Sequence, residues 1–120
     1  MNSNDRNSKQ YDLEERTQRF AKEVPQFVKI LPKTMGTTEI MKIIRSSGSV
    51  GANYIEANEA LSKKDFAMRV KICRKEAKES RYWLRLIEVR REDAEKRKQS
   101  LINEATELIK IFGAIVEKER

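Results

Sequence analysis

The sequence predicts an all-α protein, an antiparallel up-down four-helix bundle. Three observations carry that prediction. Apolar residues recur at steps of three and four in four separate stretches, the spacing of one helix face. Only four Gly and two Pro punctuate 120 residues, which are otherwise dominated by Lys, Arg, Glu, Ala, Leu and Ile. The stretches are joined by short connections, and short connections make consecutive helices antiparallel neighbours. A chain of this length forms one domain and buries roughly two-thirds of its unfolded surface.

Residues 1–10 are polar and lack apolar periodicity, which predicts a disordered start and leaves 11–120 as the folded domain. The first helix is expected over 12–31. Asp12 is its N-cap, Glu15 holds the capping-box position, and Leu13, Phe20, Val24, Phe27 and Leu31 form its core stripe. Pro25 falls inside the stripe and should kink or divide the helix, and Pro32 should end it. Residues 33–37, with Gly36, read as a turn. Thr37 or Thr38 then caps a second helix running to about Ala60, with Ile40, Ile43, Ile44, Ser47, Gly51, Tyr54, Ile55 and Asn58 on one face.

Ser62 caps the third helix, with Asp65 three residues later. That helix continues to about Val89 or Arg90, and its deepest face is Phe66, Cys73, Ala77, Leu84 and Ile87. Asp93 is the available cap for the fourth. There Leu101, Ala105, Leu108, Phe112 and Ile115 repeat at 4, 3, 4, 3, beside Ile102, Ile109 and Val116, a spacing that suits left-handed bundle packing.

Residues 46–66, SSGSVGANYIEANEALSKKDF, are rich in small side chains although the helical spacing continues through them. Gly48 and Gly51 each cost about 1 kcal/mol against Ala within a helix. Their presence implies that another backbone approaches closely. Asn53 and Glu56 stand at i and i+3 on one side of the helix. Glu56 reads either as an acid or metal ligand, or with Asn53 as a buried hydrogen-bonded pair that fixes register. A lone carboxylate is a poor metal site, which favours the second reading.

The run Ser49-Val50-Gly51-Ala52-Asn53-Tyr54-Ile55-Glu56-Ala57, followed by Ser62-Lys63-Lys64-Asp65-Phe66, resembles the signature of the 23S rRNA intervening-sequence protein family. Leu31-Pro32-Lys33 before it and Glu79-Ser80-Arg81-Tyr82-Trp83-Leu84 after it extend the resemblance from about Asp12 to the C-terminus. The resemblance implies a small bacterial four-helix bundle. A relative of that family, the accessory variability determinant of diversity-generating retroelements, is a basic pentameric barrel that binds nucleic acid and a reverse transcriptase. By that analogy a ring of five copies is expected, with RNA, DNA or a polymerase-like protein as partner.

Composition narrows the chemistry. There is no His, so the commonest general base is missing, and one Cys without His leaves no plausible zinc site. No phosphate-binding glycine-rich loop is present, and the glycines at 48 and 51 lack the strand context of a dinucleotide fingerprint. A non-enzyme without metal or cofactor is therefore expected. No run of about 18 apolar residues and no signal-peptide core occur, and the single Cys73 excludes an internal disulfide. These features point to the cytoplasm.

The net charge of +7 is concentrated: residues 62–91 hold eleven Lys or Arg against four Asp or Glu, and the rest of the chain balances. Within that stretch Lys71, Arg74, Lys78, Arg81 and Arg85 recur at 3, 4, 3, 4, inside an arc of about 80° on the third helix. Such a stripe follows phosphates without reading bases. The same pattern also describes an ordinary solvated helix face, partly neutralised by Glu76 and Glu79 beside it. Tyr82, Leu86 and Val89 make a second apolar strip on the flank of the stripe, expected at a subunit interface, although Tyr82 also suits stacking on a base. Trp83 should border the core and Cys73 should lie inside it.

The sequence thus leads to a non-catalytic, homo-oligomeric binding protein that contacts RNA or DNA phosphates through its third helix. The alternative is a protein-interaction scaffold with no direct nucleic-acid role.

Overall fold

The computed structural model describes residues 3–32 and 36–118, with side chains described from Asp12 onward. Residues 33–35 of the expected first turn, including Lys33 of the Leu-Pro-Lys run, lie outside the described residues. The four apolar stripes form four helices, α1 (Ser3–Lys29), α2 (Thr37–Asn58), α3 (Lys63–Leu86) and α4 (Glu92–Lys118). Each helix packs on the next and α4 closes against α1, so α1 and α3 stand diagonally opposite, as do α2 and α4. This is the up-down bundle expected from the sequence, and no strand occurs among the described residues.

The core lies on the bundle axis. It contains Phe20, Val24 and Phe27 of α1, Ile43 and Val50 of α2, Val70, Cys73, Ala77 and Leu84 of α3, and Ala105, Leu108 and Phe112 of α4, none more than 1% exposed. The Tyr54 and Phe112 rings meet across it at 6.0 Å and 47°. Two stripes are rotated from their expected positions. In α2, Val50 and Ala57 are buried while Ile44 and Ile55 are 40% and 60% exposed. In α4, Ile102 and Val116 go inside and Ile115 is only half-buried. Leu31 and Phe66, expected in the core, are half-buried at its edge.

Most helix boundaries differ from the expected ones for identifiable reasons. Helix α1 begins at Ser3, ahead of the expected cap Asp12, and so takes in most of the stretch read as disordered. No Gly or Pro separates Ser3 from Asp12, and Arg6, Lys9 and Gln10 are good helix formers. Pro25 does not divide α1, although it removes one intrahelical donor. The last turn gives way to shorter-range bonds, Ile30 N–H to Phe27 O at 3.2 Å and Leu31 N–H to Val28 O at 3.1 Å, as Pro32 approaches. Gly36, in extended conformation, precedes α2 without any side-chain cap, so Thr37 and Thr38 lie within the helix.

Ser62 caps α3 as expected: its Oγ accepts the Asp65 N–H at 3.1 Å. The helix ends at Leu86 because Ile87 turns extended. The freed Ile87 carbonyl accepts from Lys98 Nζ at 2.6 Å. Helix α4 starts at Glu92, with the Arg91 carbonyl accepting the Glu95 N–H at 3.0 Å. Asp93 lies inside that first turn and is gripped by Arg91 through Nε at 3.1 Å and Nη2 at 2.6 Å. The Arg91 bonds hold the Asp93 carboxyl below its ordinary range.

The two glycines of the small-residue stretch part company. A Cβ on Gly51 would meet Thr17 Oγ1 at 3.0 Å and Thr17 Cβ at 3.1 Å, so α1 and α2 touch closely there. A Cβ on Gly48 would meet nothing within 4 Å, so the close approach expected at both glycines exists at one.

Candidate nucleic-acid interface

Helix α3 presents three surfaces besides its core face, and the interhelical bonds define them. Toward α2 runs a polar seam. Glu76, only 7% exposed, receives Arg45 Nη1 at 3.3 Å, and Glu79 receives Arg45 Nη2. Ser80 Oγ meets Ser46 Oγ at 3.0 Å, and Arg69 Nη1 donates to Asn53 Oδ1 at 3.3 Å. The two acids expected to neutralise the basic stripe are therefore turned away from it and held by a cation of α2.

Asn53 itself is half-buried and donates from Nδ2 to Ser49 O at 2.9 Å. Glu56 is exposed, and among the described residues no hydrogen bond joins it to Asn53. The expected buried Asn53–Glu56 pair is thus not formed. Rotation of the α2 stripe leaves Glu56 on the solvent side, and Asn53 finds its partners on its own backbone and on α3.

Toward α4 lie Arg74 and Arg81. Arg81 Nη1 donates to Thr106 Oγ1 at 3.3 Å, and the Arg74 side chain passes over Gly113, where a Cβ would come within 3.9 Å of Nη1. Both arginines are half-buried along the α3–α4 groove, and Arg81 is tied to α4 through Thr106. Lys71, Lys78 and Arg85 are exposed, and neither Lys78 nor Arg85 forms an ion pair among the described residues. All five cations keep to one side of α3, over a length of about 21 Å.

The fourth helix adds a cation that the sequence reading missed. Lys110 is exposed and falls four residues after Thr106 and three before Gly113, on the α4 face that meets Arg81 and Arg74. The signal was present as the 4, 3, 4, 3 spacing of Gln99, Asn103, Thr106, Lys110 and Gly113, but without the interhelical register nothing tied it to α3.

On the outer flank of α3, Met68, Tyr82 and Leu86 are 56%, 57% and 56% exposed. Val89, expected to complete this strip, lies beyond the end of α3. There it lines a cavity of about 630 Å³ at the end of the bundle, together with Leu31, Ile43, Trp83 and Ala94. The Tyr82 ring stands edge-on to Trp83 at 5.1 Å and 77°, and Lys42 Nζ lies 4.9 Å from the Trp83 ring centre. Cys73 is fully buried, and burial pushes its thiol up to about 12, which removes it as a nucleophile at neutral pH. No group of three His, Cys, Asp or Glu among the described residues is placed to hold a metal. No described helix is long and apolar enough to cross a membrane.

The arrangement of four helices agrees with comparison against known proteins. The family model for the 23S rRNA-intervening sequence protein matches residues 9–114. The chain belongs to this family. A crystal structure of a protein with unknown function from the S23 ribosomal protein family of Bacteroides thetaiotaomicron superposes with a TM-score of 0.73 at 29% identity, covering 87% of this chain and 97% of that one. No curated protein matches the sequence. The family match spans all but the start of α1 and the end of α4, and includes every cation of the basic surface, from Lys71 to Lys110.

Proposed function

We propose that this member of the intervening-sequence protein family is a non-catalytic, homo-oligomeric protein of the cytoplasm that binds RNA or DNA through the phosphate-facing side of α3. The observation that carries the reading is the separation of charge on that helix. Glu76 and Glu79 are tied to Arg45 on the α2 side, while Lys71, Lys78 and Arg85 face solvent with Lys110 across the groove. A surface with cations but few local counterions draws polyanions and releases their counterions on contact. Arg74 and Arg81, half-buried beside α4, add charge without being the first groups a ligand meets. The sequence without His and the buried thiol support a binding role over catalysis.

Self-association is supported by Met68 and Leu86, exposed apolar side chains on a helix that already has a complete core face. Repeated copies present the weak electrostatic contact several times over and multiply its effect. The same apolar side chains favour the second reading, a scaffold for a protein partner. A mobility-shift series with RNA and DNA over rising salt separates the two. Phosphate binding weakens with a slope of about −0.7 per contact in a log–log plot for single strands, whereas a scaffold shows no shift at low salt.

A further inference from the structure

The geometry points to single-stranded nucleic acid as the ligand of this surface, with one unpaired base stacked on Tyr82. The inference rests on the phosphate-contact reading above and adds the strand type to it.

Tyr82 is the exposed aromatic of α3, 57% accessible on a helix whose solvent side is otherwise mostly charged. Helix spacing places Lys78 one turn before it and Arg85 one turn after it, both exposed and flanking the ring. The ring rests against its neighbour on the helix. Its contact with Trp83 at 5.1 Å and 77° braces it from the side, and Trp83 is itself held by Lys42 at 4.9 Å. A braced aromatic surface loses little conformational freedom when a base lands on it, and so is prepared for stacking.

Strand type follows from where the bases lie. In a duplex they are stacked inside and the phosphates face out. A ring on the same convex helix surface as the phosphate-binding cations meets no base there. A single strand can turn its backbone to Lys78 and Arg85 and lay an unpaired base on the ring between them, the combination found where single strands are bound without sequence readout. Cations alone serve a duplex as well as a strand. The ring between them distinguishes the two.

The test uses the full chain, a labelled single-stranded oligonucleotide and the duplex of the same sequence at one salt concentration. Trp83 is the single tryptophan, so its emission reports directly on the neighbouring Tyr82. The wild-type protein is expected to bind the single strand about tenfold or more tighter than the duplex, and to change its Trp83 emission on binding the strand. Tyr82→Ala should lose about tenfold on the strand and little on the duplex, and Tyr82→Phe, which keeps the ring, should retain the wild-type affinity. Equal affinity for strand and duplex overturns the inference and leaves the phosphate reading standing. A parallel loss on both ligands by Tyr82→Ala, accompanied by a change in sedimentation, also overturns it and assigns Tyr82 to a subunit contact. Binding to neither ligand overturns the phosphate reading, and this inference with it.

Discussion

Gly51 of α2 is packed against Thr17 of α1 so closely that a Cβ at position 51 would stand 3.0 Å from Thr17 Oγ1 and 3.5 Å from the Thr17 backbone carbonyl carbon. Thr17 has little freedom to yield, because it is 2% exposed and its hydroxyl donates to Leu13 O at 2.8 Å. Gly51→Leu is therefore expected to destabilise the protein by about 2 kcal/mol through overpacking, despite the better helix propensity of Leu. Gly48→Ala, with open space around the new methyl, is expected to stabilise by about 0.5–1 kcal/mol. Denaturant melts of the two variants check the pair. A Gly51→Leu protein as stable as wild type would remove the close-contact account.

Arg45 closes the α2–α3 seam by pairing with one nearly buried carboxylate, Glu76, and one partly exposed carboxylate, Glu79; their side chains are 9% and 39% exposed. Arg45→Ala should cost about 1 kcal/mol, because Glu76 is left buried without its cation. Glu79→Ala should cost a few tenths, as expected for a pair at the surface. Urea titrations of both variants measure the difference, and equal effects would mean that Glu76 is hydrated through the seam.

The buried Cys73 thiol, pushed from an ordinary 9.0 up to about 12, links stability to alkaline pH. Folding protects the protonated thiol, so its contribution is fully present below about pH 9. Between about 9 and 12 the unfolded chain loses that proton first and stability falls, at most by about 1.4 kcal/mol per pH unit. Cys73→Ala should flatten the fall between about pH 9 and pH 12. Tyr54, also raised by burial, contributes above its ordinary value of 10.0 in both proteins. A pH dependence unchanged by Cys73→Ala would show that the thiol is reached by water.

The exposed apolar side chains of α3 call for a partner surface. Wild type is expected to sediment as more than a monomer at micromolar concentration, and Leu86→Glu to dissociate it with helicity kept, since Leu86 is 56% exposed and supports no core packing. A monomeric wild type would end the proposal of self-association.

The bundle was legible in the sequence because core residues such as Phe20, Val24, Cys73, Leu84, Leu108 and Phe112 are buried by helix period alone. Capping was legible where a side chain does the work, at Ser62, and not where a backbone conformation does, at Gly36. Gly51 was recognisable as a contact because its cost needs a reason, whereas Gly48 carries the same cost with no contact to offset it. The surface was legible only helix by helix. The i, i+3 spacing of Asn53 and Glu56 suggested a shared bond, but a small rotation of α2 sends one inward and the other out. The Lys71–Arg85 stripe was visible, but its division into half-buried arginines and free cations depends on Thr106 and Gly113, which belong to another helix. Val89 looked like a continuation of the strip until Ile87 ended the helix.

The role of the basic surface is tested most directly by reversing the cations that stand free. Arg74 and Arg81 are poor targets, since both are half-buried beside α4 and Arg81 bonds to Thr106, so reversal would change packing together with charge. Lys71, Lys78 and Arg85 are exposed and can be changed to Glu without touching the core. Arg19, Lys22 and Lys29, exposed on the diagonally opposite α1, give a control of equal charge change; Lys110 does not, because it faces the same groove. The measurement is affinity for a labelled RNA strand, at fixed low salt, for wild type and the two triple variants, each checked for helicity. The α3 reversal is expected to abolish binding and the α1 reversal to weaken it only slightly, because a localised surface acts at contact distance and a distant charge is screened beyond a Debye length of about 10 Å at 0.1 M salt. Equal binding by the two variants, or equal loss, would contradict the assignment of nucleic-acid contact to α3.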